Sequence, residues 1–114
     1  MTITRLDAGA RMSQAVVAGG LVFTAGQVAE GPSVAAQTEA VLAQIDALLA
    51  RAGTSKANLV SATIWLTDMA TFPEMNAVWD KWVVPGATPA RATVGALLAS
   101  PIFKVEIAVV AALD

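Results

Sequence analysis

Hydrophobic and polar positions alternate along this chain with two different periods, one typical of strands and one typical of helices. The strand period, two residues long, comes first. Residues 14–18 (QAVVA) and 21–26 (LVFTAG) are short β-prone runs separated by Gly19 and Gly20. Two glycines at this spacing suit a tight turn whose residues need positive φ, so the pattern predicts a β-hairpin. Residues 58–68 return to the same period and predict a strand with one apolar side: Val60, Ala62, Ile64 and Leu66.

A helical period follows the hairpin. Ser33 is placed to cap a helix that runs to Arg51 and ends at Gly53. Apolar residues on one side of this predicted helix are Val34, Val41, Leu42, Ile45, Leu48 and Leu49.

A second helix is predicted after the strand of residues 58–68. Thr71 and Glu74 have the spacing of a capping box, in which each side chain binds a free backbone N–H of the first turn. The helix is expected to stop at the Pro-Gly pair of residues 85–86. Its apolar stripe consists of Phe72, Met75, Trp79 and Trp82.

Residues 91–98 and 103–112 are two more apolar, valine-rich runs and predict the last two strands. The chain is short enough for one domain, residues 1–114. Strands interrupted by two helices, each with one apolar side, predict an α+β fold: a mixed sheet with both helices on one face. Because no third helix is predicted, we expect other copies of the protein to cover the other sheet face.

The composition also favours an oligomer. Hydrophobic residues make up 56% of the chain and charged residues 14%, which is little charge for the large relative surface of a small domain. Apolar surface is therefore expected to be buried between subunits. A monomer with an alanine-rich surface is the alternative.

The chain contains no cysteine, histidine or tyrosine. Disulfides and thiolate nucleophiles are excluded, and the most common zinc and copper ligands are missing. Proton transfer is left to Asp, Glu, Lys, a hydroxyl group or bound water. We therefore expect chemistry that needs neither a metal nor a cofactor.

The net charge of −2 and the scattered basic residues argue against a nucleic-acid partner. No uninterrupted apolar run approaches the roughly 20 residues of a membrane-spanning helix. The N-terminus also lacks the basic region and apolar core of a secretory signal. These features predict a soluble, cytoplasmic protein without a membrane partner.

Arg91 is a permanent cation inside a run that otherwise looks like a buried strand. Removing a guanidinium group from water costs several kcal/mol unless acceptors surround it, so a partner is required. If residues 98 and 103 close a hairpin, then Arg91, Thr93 and Glu106 share one face. Glu106 would still lie roughly 13 Å from Arg91 along the strands, too far for a direct salt bridge. An internal partner and a ligand carboxylate, bound in bidentate fashion, both remain open.

Three further features each allow a structural and a functional interpretation. Gly26 is either a turn or bulge glycine or a place where a ligand approaches the backbone. Asn76 is either a solvated helix residue or a hydrogen-bonding group for a ligand or a neighbouring loop. The tryptophans at positions 65, 79 and 82 are interpreted as packing residues of the core or of an interface, because the acidic balance does not favour base stacking.

Four stretches, taken together, resemble a known family: SQAVVAGGLVFTAGQV, FPEMNAVWDKWV, PARATV and FKVEIAVVAA. In this order, and over nearly the whole chain, they are similar to the Rid (YjgF) family of reactive-intermediate deaminases, also called L-PSP endoribonucleases. The resemblance implies a chorismate-mutase-like α+β fold and a homotrimer with clefts between its subunits.

The resemblance also implies a role for individual residues. Arg91 matches the arginine that grips the substrate carboxylate, and Glu106 matches the glutamate associated with the catalytic water. Gly26 matches a glycine whose backbone contacts the substrate, and Asn76 matches an asparagine that lines the cleft.

At two positions this chain departs from the well-studied deaminases. It has Met12 where they carry a tyrosine and Thr93 where they often carry a cysteine. These two departures place the chain nearer the short, YoaB-like branch of the family.

The implied activity is hydrolysis of small 2-imino or 2-enamino acids to 2-keto acids and ammonia. A trimer that binds small carboxylates such as 2-keto acids without catalysis is the alternative, which Met12 and Thr93 favour slightly. An endoribonuclease is a weaker alternative. The preferred imine is left open, as is the subunit that supplies Glu106 to each site.

Overall fold

The computed structural model describes residues 1–113, which form a six-stranded mixed sheet with two helices. The strands are β1 (Thr4–Leu6), β2 (Ala15–Ala18), β3 (Leu21–Thr24), β4 (Leu59–Leu66), β5 (Ala90–Gly95) and β6 (Val105–Ala112). The helices are α1 (Val34–Ala52) and α2 (Phe72–Trp82), with short 3₁₀ turns at Lys56–Asn58 and Met69–Thr71. The strand order is β1-β2-β3-β6-β4-β5, and β4 and β5 are the parallel pair.

The predicted hairpin is confirmed as β2 and β3. Ala18 pairs with Leu21, so only Gly19 and Gly20 form the turn. Their φ angles are 60° and 78°, in the left-handed region that glycine adopts without steric cost. Strand β1 was not predicted from the sequence, since three residues are too few for a periodic pattern to be recognised.

Helix α1 begins and ends as the sequence predicts. The Ser33 hydroxyl accepts a hydrogen bond from the backbone N–H of Ala36 at 3.1 Å. Gly53 ends the helix with a φ of 93°, and its N–H donates to carbonyl groups of the last turn. All six residues predicted for the apolar side are buried, so the periodicity located the core-facing side of this helix.

The predicted capping box at the start of α2 is wrong. The Thr71 hydroxyl donates to the carbonyl oxygen of Asp68 at 2.6 Å and makes no cap of its own helix. The Glu74 carboxylate instead accepts a hydrogen bond from the Ala35 N–H at 2.8 Å, in the first turn of α1. A tertiary contact therefore replaces the local one, and it ties the beginnings of the two helices together.

Strand β4 has one irregularity that the strict alternation did not predict. The pairing of β4 with β6 shifts between Leu59 and Ser61, which is the signature of a β-bulge. As a result, Leu59 is buried and Val60 is 48% exposed, the reverse of the predicted assignment. Beyond the bulge, the predicted alternation is confirmed.

Both helices pack on one face of the sheet, as predicted, and the core lies between them and that face. We call this the helix face; its central residues are Ala62, Ile64, Leu66, Val105, Ile107 and Val109. The uncovered side, here called the open face, carries Val16, Ala18, Leu21, Phe23, Ser61, Thr63, Trp65, Ala92, Val94, Glu106, Ala108 and Val110. Phe23 and Val94 on it are 42% and 44% exposed, so the single chain leaves an extended apolar surface in water.

The last two strands do not form the hairpin assumed from the sequence. β4 lies between β5 and β6, pairing parallel with the first and antiparallel with the second. The chain after β5 therefore crosses over β4 before it enters the sheet as β6. In residues 1–113 no helix is long and apolar enough to span a bilayer.

Candidate functional site

Arg91 projects from β5 toward helix α2. Its Nη1 donates a hydrogen bond to Oδ1 of Asn76 at 2.8 Å. The guanidinium carbon lies 5.2 Å from the ring centroid of Trp79 and 5.7 Å from that of Phe72, so two aromatic rings flank the cation. The sequence left the internal partner open, and the structure identifies it as an amide and two rings.

The Arg91 guanidinium group keeps most of its hydrogen-bonding capacity. Within residues 1–113 the one salt bridge joins Arg51 to Asp7, so no carboxylate neutralises Arg91. Guanidinium carries five N–H donors, and Asn76 is the one hydrogen-bond acceptor that the described residues supply. The rest of the planar group is free to bind an anion in bidentate fashion.

Thr93 follows Arg91 on the same face of β5. Its hydroxyl oxygen is inaccessible to solvent and has no hydrogen-bond partner among residues 1–113. Leaving a buried hydroxyl group unsatisfied costs about 1–3 kcal/mol. Beside Arg91, the chain therefore carries a polar group whose bonding is incomplete.

The Glu106 carboxylate lies against the Cα of Gly26. A Cβ atom built on Gly26 would lie 2.7 Å from Cδ and 3.0 Å from Cγ of Glu106, and would collide with a carboxylate oxygen. The φ of Gly26 is not positive, so the backbone conformation does not require glycine here. Gly26 instead leaves the space in which the end of the Glu106 side chain lies, which neither sequence-based interpretation included.

Two glutamines that the sequence analysis missed hold the chain segments near Gly26 and Glu106 in place. Gln27 pairs with Ile107 through both backbone groups, and its side chain donates to Oε1 of Gln14 at 3.0 Å. Gln37 is fully buried; it donates to the carbonyl groups of Gly31 and Ile102 and accepts from Lys104 N–H at 2.8 Å. A polar residue between Val34 and Val41, inside the apolar stripe of α1, was the signal that could have revealed Gln37.

Arg91 and Glu106 lie on opposite faces of the sheet, so the prediction that they share a face is wrong. Arg91 pairs with Ala62, which belongs to the helix face, whereas Glu106 pairs with Trp65 on the open face. The error follows from the intervening strand β4, because the assumed hairpin set a register that does not exist.

The candidate residues therefore fall into two groups within one chain. Arg91, Asn76 and Thr93 form the first group, on the helix face, and Gly26 and Glu106 form the second. Met12 lies between β1 and β2, is 50% exposed, and belongs to neither group. Residues 1–113 also contain no group of three His, Cys, Asp or Glu side chains that could hold a metal ion.

Comparison with known proteins identifies the family. The family model described as endoribonuclease L-PSP matches residues 2–113. The chain belongs to the YjgF/L-PSP family. The RutC family protein YoaB of Escherichia coli K12 is 46% identical over 114 residues, which cover 98% of this chain and 99% of that protein. A RutC family protein of Haemophilus ducreyi is 43% identical and covers 98% of this chain and 97% of its own length.

The YjgF/L-PSP fold is confirmed by solved structures. A YjgF family member from Neisseria meningitidis superimposes with a TM-score of 0.97 at 48% identity, over 100% of this chain and 97% of that one. A Mycobacterium tuberculosis member of the YjgF/YER057c/UK114 family gives a TM-score of 0.91 at 30% identity, over 97% and 99% of the two chains. The resemblance inferred from the four sequence stretches is thereby confirmed.

Proposed function

We propose that this protein hydrolyses 2-imino or 2-enamino acids to 2-keto acids and ammonia. The observation that carries the proposal is Arg91, a partly buried cation with no carboxylate partner among residues 1–113. Asn76 and two aromatic rings hold the guanidinium group in place, which favours a fixed binding geometry over a mobile surface charge. A planar ligand carboxylate matches the donors that remain.

Glu106 is the proposed base. It accepts a proton from a water molecule as the water oxygen bonds to C2 of the imine. The imine nitrogen takes up a proton from solvent as this bond forms, which gives a carbinolamine. Glu106 then returns its proton to the amino nitrogen, the carbon–nitrogen bond breaks with release of ammonia, and the hydroxyl group loses its proton to solvent to become the carbonyl group of the 2-keto acid. The reaction consumes one water molecule for each imine, and general-base catalysis of this kind contributes about 10²–10⁴-fold to a rate.

We further propose that the complete site lies between subunits of a homotrimer. In one chain, the groups of Arg91 and Glu106 lie on opposite faces of the sheet, so they do not face a common cleft. A neighbouring copy that covers the open face can bring its own Arg91 group toward Glu106 and Gly26. The exposed apolar surface of the open face supports this assembly.

The first test measures hydrolysis of 2-iminobutanoate, generated in place from threonine by a pyridoxal-dependent dehydratase. The wild type is compared with Arg91→Ala, Glu106→Gln and a reaction without protein, and Arg51→Ala serves as a surface arginine control. We expect wild type and Arg51→Ala to accelerate keto-acid release and the two site variants not to. If wild type and the protein-free reaction give equal rates with several 2-imino acids, the deaminase proposal fails.

The shared site has its own test. Arg91→Ala and Glu106→Gln chains are unfolded together and refolded as a mixture. Each mixed trimer then has one interface at which an intact Arg91 meets an intact Glu106, and about a quarter of the wild-type rate should return. A mixture as inactive as its two components would place both residues in the site of a single chain and would contradict the proposed arrangement.

A trimer that binds 2-keto acids without catalysis is the second candidate. Met12 and Thr93 favour it, because they stand where well-studied deaminases carry a tyrosine and often a cysteine. Saturable binding of 2-ketobutyrate by wild type and not by Arg91→Ala, without any acceleration of imine decay, would decide for this candidate. The endoribonuclease activity in the family description is less well supported, because the basic residues are scattered along the sequence and the net charge is −2.

A further inference from the structure

Trp65 is a tryptophan that core packing does not account for. Trp79 is buried, and its ring centroid lies 5.3 Å from that of Trp82, whose indole N–H donates to Asp46 at 3.0 Å. Trp65 lies on the open face, outside the hydrophobic core. Within residues 1–113 its indole N–H has no hydrogen-bond acceptor.

Trp65 is the direct cross-strand neighbour of Glu106. The two residues pair between β4 and β6, and Val94 pairs with Trp65 from β5 on the other side. Side chains paired in this way have Cβ atoms about 4.5–5.5 Å apart. The Glu106 carboxylate lies against Gly26, on the side of β6 away from β4 and Trp65. An apolar strip formed by Trp65 and Val94 therefore begins beside the proposed base.

We propose that Trp65 determines the substrate specificity of the site, by contacting the side chain of the imino acid. This inference rests on the proposed deaminase function, and it names the substrate class: 2-imino acids with branched or aromatic apolar side chains. A substrate whose C2 lies at the water held by Glu106 extends its side chain within reach of the neighbouring indole. An apolar strip of this kind discriminates between substrates by about tenfold or more in kcat/KM for each additional methylene group that contacts it.

The apolar strip also selects against substrates with polar side chains. A hydroxyl group that lies against the apolar surfaces of Trp65 and Val94 loses hydration, and the indole N–H at the ring edge is the one hydrogen-bond donor that these two side chains offer in return. The methyl group of the alanine-derived imine is too small to cover the indole ring. The expected order of kcat/KM is therefore leucine- and phenylalanine-derived imines first, followed by alanine- and serine-derived imines.

The test uses imino acids released by an L-amino-acid oxidase, with catalase present to remove peroxide and semicarbazide as the competing trap. The kcat/KM values of the leucine-, phenylalanine- and alanine-derived imines are measured for wild type, Trp65→Ala and Trp65→Leu. Phe23→Ala is the matched control, because Phe23 is an exposed aromatic residue of the open face that pairs with Val110 instead of Glu106. Size-exclusion chromatography with light scattering gives the oligomeric state of each variant.

We expect Trp65→Ala to reduce the preference for the larger imines by at least about tenfold, while the alanine-derived imine changes less than about twofold. Trp65→Leu should fall between Trp65→Ala and wild type, and Phe23→Ala should keep the wild-type preference. Unchanged preferences in both Trp65 variants would overturn the inference. Dissociation of both variants from the wild-type oligomer would also overturn it, because Trp65 would then be a subunit contact.

The same measurements distinguish failure of this inference from failure of the proposed function. If wild type hydrolyses the imines and Arg91→Ala does not, the function holds, and the Trp65 ratios decide the inference alone. If wild type hydrolyses none of the imines, both the function and the inference are overturned.

Discussion

The carboxylate of Glu106 occupies the position where any residue other than glycine at position 26 would place its Cβ atom. Two residues 80 positions apart in the sequence are thus packed so closely that each restricts the other. The position of the proposed base therefore depends on the absence of a side chain at position 26, in the segment that follows β3.

This contact predicts that Gly26→Ala displaces Glu106. The end of the Glu106 side chain is flexible and partly exposed, so we expect the free energy of unfolding to change by less than about 1 kcal/mol, whereas imine hydrolysis falls because the carboxylate is displaced. Gly9→Ala is the control, because a Cβ at Gly9 would meet its nearest neighbour, the Met12 carbonyl oxygen, at an ordinary 3.5 Å.

The double variant Gly26→Ala/Glu106→Ala separates crowding from other effects of the substitution. Once the carboxylate is removed, Gly26→Ala should cause no further loss of stability, and activity should stay absent; urea unfolding of the four proteins in the cycle measures the coupling. Additive losses in the double variant would show that the contact is not the cause.

The unsatisfied hydroxyl group of Thr93 predicts that its removal stabilises the protein. Thr93→Val keeps the shape of the side chain and removes the unsatisfied hydroxyl group, so the free energy of unfolding should rise by about 1 kcal/mol. The matched control is Thr38→Val, since the buried Thr38 hydroxyl donates to the carbonyl oxygen of Val34 at 2.7 Å and its loss should destabilise the protein. A destabilised Thr93→Val would mean that the hydroxyl group has a partner in the folded protein.

The hydrogen bond between Arg91 and Asn76 predicts how substitutions of Asn76 change the affinity for a carboxylate ligand. Asn76→Ala releases the Arg91 side chain from its anchor, and we expect the Kd for 2-ketobutyrate to rise about fivefold to tenfold, the value of one hydrogen bond. Asn76→Asp should weaken binding further, because a carboxylate at that position would neutralise the guanidinium group and repel the ligand. Isothermal titration calorimetry measures both Kd values. Tighter binding to Asn76→Asp than to Asn76→Ala would contradict a carboxylate-binding role for Arg91.

Asp7 predicts a pH-dependent contribution to stability. The hydrogen bond from Arg51 is the main cause that lowers the pKa of Asp7, and their attraction adds to it. A lowered pKa means that the folded state holds the ionised carboxylate more strongly than the unfolded state does. The contribution is therefore complete above the usual pKa of an aspartate and disappears as the pH falls through the lowered value.

Denaturation of wild type and Asp7→Asn at several pH values tests this. The wild type should be slightly more stable at neutral pH, and the difference should vanish in acid. It should be small, because the two side chains are 49% and 51% exposed and water screens their attraction. A difference that is equal at all pH values would show that the ionised pair is not its cause.

The fold was predictable wherever the deciding interactions are local. The Gly19–Gly20 turn, the Ser33 cap and the apolar side of α1 all depend on residues a few positions apart, and all were predicted correctly. Strand pairing is different, because nothing in residues 91–98 and 103–112 indicates that β4 separates them. The shortest connection suggested a hairpin, whereas the parallel pairing of β4 and β5 depends on the whole sheet.

The candidate site shows the same division. Arg91 could be identified as a residue in need of partners, because the cost of burying a charge follows from its chemistry. Its actual partner, Asn76, is 15 residues away on a helix whose orientation the sequence does not specify. The packing of Glu106 against Gly26 is likewise a property of the assembled sheet, and a glycine alone does not reveal what fills the space beside it.

The position of β6 has a consequence for how the protein is made. β6 is the last strand of the chain, yet it lies in the middle of the sheet, between β3 and β4. Without β6, the other five strands can pair only as two separate half-sheets, β1-β2-β3 and β4-β5, each with an edge that lacks the same partner strand. Until residues 105–112 are in place, β3 and β4 lack the strand that joins them, and their free edges are sites where another chain can pair and aggregate.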